Sequence, residues 1–193
     1  MTPAGVAHFV THPEVARDPA VPVPRWRLSE VGTARMRRFA DGEPALRGVR
    51  AVWASTEAKA IEAAGVLAAG LGLGVSVHHG LGENDRSATG YLPPDEFERT
   101  ADAFFARPHE SVRGWERAAD AQARVVAAVG EVLAAHPGGD VALVAHGAVG
   151  ALLLCHLSGG AISRAWDQPG AGGGHCFAFE VATRRVLHGW RAI

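Results

Sequence analysis

Short apolar runs alternate along the chain with longer segments of helix-period polarity. Residues 5–11, GVAHFVT, form an apolar run suited to a buried strand. The proline-rich stretch from Pro13 to Pro24 then reads as loop, because proline fixes φ and offers no N–H, and His12 is left at a strand's end. Ser29 is a suitable N-cap for a helix through Ala40. VRAVWAS at 49–55 reads as a second buried strand leading into a helix over 57–71, so Ser55 also lies at a strand's end. Residues 74–78 suggest a third, short strand. Pro93, Pro94 and Asp95 open a helix through Ala106, and Ser111 begins a long amphipathic helix reaching about His136. GDVALVAHG at 139–147 is the clearest buried strand, GALLLCHL at 150–157 is the helix after it, and His146 occupies the turn between them. After the stretch Gly170 to Gly174, HCFAFEV and RVLHGW flank Thr183 and Arg184 as an antiparallel hairpin at the edge of the sheet would.

Strands alternating with helices predict an α/β fold in three layers, a mostly parallel sheet with helices on both faces and the C-terminal hairpin added antiparallel. In such sheets ligands bind outside the carboxyl ends of the strands, which is where His12, Ser55 and His146 fall. A chain of 193 residues, 48% hydrophobic, can bury one sizeable core. No repeat or linker composition divides it, so 1–193 reads as a single domain.

The formal net charge of -1 gives no broad field to gather nucleic acid or an anionic membrane surface. An anionic ligand must therefore be held locally. Cys155 and Cys176 have no metal-ligand spacing and are too few for a disulfide framework; they read as small buried hydrophobes in a reducing compartment, and a cytoplasmic location fits. No segment has the length and apolarity of a membrane span, and the N-terminal residues lack a targeting pattern. Lys59 is the only lysine in an arginine-rich chain.

Two histidines at the ends of separate buried strands are hard to explain by packing alone. Taken in order, VTHPE, ASTEAKAIEAA, LGEND, HES and VALVAHGAVG resemble the spaced motifs of the histidine phosphatase superfamily, also called phosphoglycerate-mutase-like. That resemblance implies phosphomonoester hydrolysis without metal or cofactor. It makes His12 the nucleophile that is transiently phosphorylated and Glu83 the acid that protonates the leaving oxygen. By the same resemblance His146 donates a hydrogen bond to the equatorial oxygens, and Gly147 lets the backbone turn close to the ligand.

The sequence departs from the superfamily at the phosphate clamp. Thr11 stands where the first motif carries arginine and Pro13 where it carries glycine. Lys59 replaces the second-motif arginine, keeping charge but losing the planar fork that grips two oxygens. Arg86 in ENDR is positioned to supply the missing guanidinium, with the Thr11 and Ser55 hydroxyls as further donors. The expected ligand is a phosphorylated small molecule or a phosphoprotein. Two other readings stand beside the phosphatase: a non-catalytic phospho-ligand binder or regulatory protein that kept the fold, and a phosphoglycerate-mutase-type phosphoryl transferase, for which no dense basic patch is found.

Plainer readings compete at single positions. Glu83 is also a plausible solvated loop carboxylate before the turn formers Asn84 and Asp85. Lys59 is nearly as readily a solvated lysine. On general frequencies Arg86 is a surface residue or a partner of Asp85 or Glu96. His78 and His79 point to opposite faces if both lie in a strand, so they read as structural or surface groups rather than metal ligands. Phe104, Phe105 and Trp115 sit at helical spacings that mean core packing, while the insertion over 86–115 is placed to cover the site. Gly170 to Gly174 lacks the trailing Lys-Ser/Thr of a phosphate loop and reads as a flexible turn.

Overall fold

The computed structural model describes residues 5–170 and 172–193. Six strands, β1 (Val6–Thr11), β2 (Val49–Ala54), β3 (Val75–Val77), β4 (Asp140–Ala145), β5 (His175–Glu180) and β6 (Val186–Ala192), form one sheet in the order β3-β2-β4-β1-β5-β6. The first four in that order are parallel; β5 joins β1 antiparallel and β6 joins β5 antiparallel. Five α-helices flank the sheet: α1 (Glu30–Gly42), α2 (Ala58–Leu71), α3 (Pro94–Ala106), α4 (Ala118–Ala135) and α5 (Gly147–Leu157). The expected α/β architecture with its C-terminal hairpin is found. Only β6 forms the edge on that side, because β5 is enclosed between β1 and β6.

The central strand β4 shows why both faces are covered. Val141, Leu143 and Ala145 join a core with Val125, Val129 and Val132 of α4 and Val149 and Leu153 of α5. Ala142 and Val144, pointing the opposite way, join Met36 and Phe39 of α1 and Ala64 and Leu67 of α2. Period-2 side-chain alternation in an apolar strand thus feeds two separate cores. A third cluster, Phe104 and Phe105 with Trp115, Ala118, Ala151 and Leu152, fastens α3 to α4 and α5.

Most element boundaries fall within two residues of the expected ones, and Ser29 caps α1, accepting from Gly32 N at 3.1 Å. Two differ more. The helix expected from Ser111 begins only at Ala118, after a 3-10 turn over Val112–Gly114. Arg113 (φ 54) and Gly114 (φ 80) are left-handed there, which breaks the helix and turns Trp115 inward, where its Nε1 donates to Thr89 Oγ1 at 2.8 Å. Helix α5 starts at Gly147 rather than 150, immediately after His146.

β3 ends at Val77, so the His78 and His79 rings stack (centroids 5.2 Å) instead of pointing to opposite faces. His78 accepts from Gly80 N and meets Glu131 at 3.0 Å. Among the described residues no group of three His, Cys, Asp or Glu side chains is placed to hold a metal ion. Cys155 is buried, whereas Cys176 is only partly covered, its thiol pushed up to about 11 chiefly by burial. No helix among the described residues is long and apolar enough to cross a membrane.

The strand order sets β2, β4 and β1 side by side. His12 N donates to Ala145 O and Ser55 N to Val144 O, each at 3.1 Å, so the three carboxyl ends are stitched into one rim. Over that rim the loop after β1, the loop before α3, α3 itself and the start of α5 enclose a cavity of about 320 Å³.

Candidate active site

His12 is fixed from both sides of its backbone. Its N–H is spent on β4, and its carbonyl accepts from Gly174 N at 3.1 Å. Gly173, at φ 77, lies so close that a Cβ would stand 2.1 Å from the His12 oxygen. Gly173 and Gly174 are therefore fitted against the His12 backbone. The His12 ring is oriented by its own neighbour: Nδ1 and Pro13 O are 2.9 Å apart, so Nδ1–H donates and Nε2 keeps the lone pair. Proline at 13 loses an N–H but not this carbonyl. Burial pushes His12 down to about 4; the Pro13 carbonyl opposes that and the Lys59 ammonium adds to it. At neutral pH the ring is uncharged and lines the cavity.

His146 meets it ring to ring, with centroids 5.2 Å apart at 69°. It is fully buried, and burial drives its pKa well below the ordinary value despite the nearby Glu57 carboxylate. Ser55 Oγ lies 2.6 Å from Nε2 and itself accepts from Glu57 N at 3.3 Å, which frees the hydroxyl hydrogen for His146. In that tautomer Nδ1 carries the proton and is a buried donor without a protein partner.

Lys59, only 3% exposed, does not point free into the cavity as a bare cation. Nζ donates to Val23 O at 2.9 Å and pairs with Glu57 Oε2. Glu57 Oε1 reaches His146 Nε2 at 3.4 Å and accepts from Glu83 N at 2.9 Å. Burial pushes the Glu57 carboxyl up, but His146 and the Lys59 ammonium more than offset this and hold it at about 2. The one lysine of the chain thus has its counter-ion built in two residues earlier.

Glu83 sits opposite, at the amino end of α5. Oε2 accepts from Ala148 N at 3.2 Å and Oε1 from Val149 N at 3.1 Å, occupying two N–H groups that a helix leaves unpaired. It is no solvated loop carboxylate. Arg86 lies 3.7 Å from Oε2 and its guanidinium stands over Phe97 (5.2 Å) and Trp115 (5.5 Å). Its ionic partner is therefore Glu83, and neither Asp85 nor Glu96. Arg124 of α4 anchors the whole loop, donating to the carbonyls of Gly80 and Gly82 (2.9 Å each) and of Glu83 (3.2 Å).

Two histidines, a carboxylate and two paired cations at the carboxyl rim of a parallel sheet can be compared with known proteins. The family model of the histidine phosphatase superfamily (branch 1) matches residues 20–180. The chain belongs to the histidine phosphatase superfamily. Bacillus stearothermophilus YhfR superposes with a TM-score of 0.80 at 23% identity, over 96% of this chain and 95% of that one. A mycobacterial glucosyl-3-phosphoglycerate phosphatase in complex with inorganic phosphate gives 0.75 at 22% identity, over 97% and 95%. A protein described as mycobacterial hydrolase 2 gives 0.76 at 20% identity, over 98% and 89%. No functionally curated protein sequence matches the chain.

Thr11, read from the sequence as standing in for the first-motif arginine, is 1% exposed and does not line the cavity. Its hydroxyl donates to Gln168 Oε1 at 2.7 Å and accepts from His175 N at 2.9 Å. Ser55 likewise serves His146 and is not part of the cavity wall. The expectation that these two hydroxyls add donors for a ligand is thus not met by their geometry. Gly147 does line the cavity, and a Cβ there would come within 2.6 Å of Gln168 Nε2. Sequence reasoning overlooked Glu57, Gln168, Arg124 and the buried amide of Asn84. None of these stood out in the sequence, because each acquires its surroundings only in the folded chain.

Proposed function

We propose that this protein hydrolyses phosphomonoesters through a phosphohistidine at His12, with Glu83 as the proton donor. The observation that carries the reading is the His12 ring itself. It is neutral, aimed by the Pro13 carbonyl so that Nε2 is unprotonated, and open to the cavity beside Glu83. A neutral imidazole nitrogen is the form that can attack phosphorus.

In the first step Nε2 bonds to phosphorus as the bond to the leaving oxygen breaks, and Glu83 gives that oxygen its proton. In the second, Glu83 takes a proton from water, whose oxygen bonds to phosphorus as the P–N bond breaks. Inorganic phosphate leaves and His12 is restored. The cations Lys59 and Arg86, which line the cavity, are the groups available to the equatorial oxygens, and the unpaired Nδ1–H of His146, packed behind His12, is the further donor we assign to them. That similar solved structures include a named phosphatase holding phosphate supports the same reading.

A second reading has its own observation. Glu57 on Lys59 and Glu83 on Arg86 neutralise both cations, which favours a phospho-ligand binder with little turnover. The test is hydrolysis of an aryl phosphate in the presence of chelator, comparing wild type with His12→Ala and trapping acid-labile phosphoprotein by rapid quench. Turnover and a trapped phosphoenzyme that both vanish with His12 establish the hydrolase. Phosphate binding by calorimetry with neither turnover nor phosphoenzyme establishes the binder.

A further inference from the structure

The cavity extends past His12 into a space whose walls are unlike those of an anion site. Trp26 and Tyr91 form one side (ring centroids 5.7 Å), and Phe97 with Trp115 another (5.9 Å). Of the arginines and the lysine that line it, Lys59, Arg86 and Arg164 are already ion-paired; among the described residues only Arg17, exposed at the rim, has no such partner. The interior therefore has no uncommitted cation for a second phosphate or a carboxylate on the substrate.

Of the polar side chains that line the cavity, Glu98 and Asp167 pair with Arg164 and Gln168 accepts from Thr11, whereas Asn84 is the one among the described residues left buried without a partner. It is 3% exposed, it lines the cavity, and neither Oδ1 nor Nδ2 has a hydrogen-bond partner. A buried amide with both halves unpaired is costly, so such groups are normally satisfied by protein, water or ligand. An amide offers one acceptor and two donors side by side, and its best complement is another edge of the same kind. At about 320 Å³ the space is at the small end of ligand pockets, enough for one ring and too little for a peptide segment.

We infer that this cavity seats the leaving group, and that it selects phosphomonoesters of a single planar ring bearing an adjacent hydrogen-bond donor and acceptor, read by the Asn84 amide. Trp26 and Tyr91 take a face of the ring, the Arg86 guanidinium that covers Phe97 and Trp115 closes the other side, Asn84 takes the edge, and the phosphoryl group is left at His12. The inference rests on the phosphatase reading for its chemistry, but on the cavity alone for binding.

The first arm compares meta- and para-carbamoylphenyl phosphate with the matching acetylphenyl esters, which keep the carbonyl and replace the amide nitrogen by methyl, and with glycerol phosphate. Wild type is expected to prefer one carbamoyl ester over its acetyl partner by about tenfold in kcat/KM, equivalent to about 1.4 kcal/mol. Asn84→Leu is expected to erase that preference. The second arm needs no chemistry: hydroxybenzamide binding followed by saturation-transfer NMR, expected equal in wild type and His12→Ala and weakened in Tyr91→Ala. Equal rates on carbamoyl and acetyl esters by wild type, or a preference for glycerol phosphate, overturn the inference even if His12-dependent turnover is intact. Hydroxybenzamide binding without any hydrolysis overturns the phosphatase reading and leaves the cavity assignment standing. Should Asn84→Leu fail to fold, the wild-type comparison decides alone.

Discussion

At the scale of single residues, the protonation of His12 is the quantity on which the proposed chemistry turns. Its folded pKa of about 4 lies below the ordinary 6.5, so folding opposes its protonation. The stability tied to the neutral ring is complete above pH 6.5 and is lost as pH falls toward 4, amounting to about 3 kcal/mol at the bottom of that window. A ring titration by NMR on histidine-labelled protein should place the His12 midpoint near 4; a midpoint above 6 would remove the basis for a neutral nucleophile. Glu57 calls for the opposite kind of test. Glu57→Gln should free Lys59 to meet an oxyanion and tighten inorganic phosphate by about tenfold by calorimetry. It should also destabilise the fold by about 3 kcal/mol, because a buried ammonium loses its partner. Phosphate affinity unchanged in that variant means Lys59 never faces the ligand. His12, Glu83, Lys59 and His146 were legible because each ends or follows an apolar run at a motif position. Glu57 was not, since positions two apart share no helix face, and the pairing arises only because Glu57 precedes the first turn of α2 while Lys59 folds back toward Val23.

Among the elements, α5 carries the tightest constraint. Gly150 faces β1 and β6 so closely that a Cβ would stand 2.7 Å from Phe9 and 2.8 Å from Trp190. Gly150→Ala should destabilise by about 2 kcal/mol through overpacking, read as a lowered urea midpoint at unchanged slope. A neutral or stabilising outcome would mean that the aromatic layer gives way instead. The existence and type of the main elements followed from hydrophobic period, and their ends from Ser29 and the prolines. The start of α4 was misread because Ser111 is a good helix starter by composition, while the demand to seat Trp115 against Thr89 is tertiary. Ser111 instead donates to Trp115 O at 2.7 Å, stabilising the very turn that replaces the expected helix. The orphaned Asn84 amide was equally invisible, since an Asn in ENDR reads as a turn former until the cavity is in view.

For the molecule as a whole, a net charge of -1 and cations already paired within the site leave little field to steer an anion inward. kcat/KM for a phosphomonoester should therefore change by less than about twofold as salt is raised from about 0.01 to 0.15 M, and a steep decline would reveal a steering surface elsewhere. The sheet's parallel character was legible in the alternation of strands and helices, but its order was not: nothing in one strand's residues names its neighbour. That order has a consequence for the making of the protein. Among the described residues β1 pairs in the sheet only with β4 and β5, more than 130 residues downstream, a pairing reinforced by the bond from Val6 N to Asp140 Oδ1. At ordinary synthesis rates the apolar VAHFV segment waits on the order of ten seconds for a partner, its edges open to wrong pairings. His12 is thus made well before the strands that place it, and any chain released before β5 carries the proposed nucleophile with no site around it.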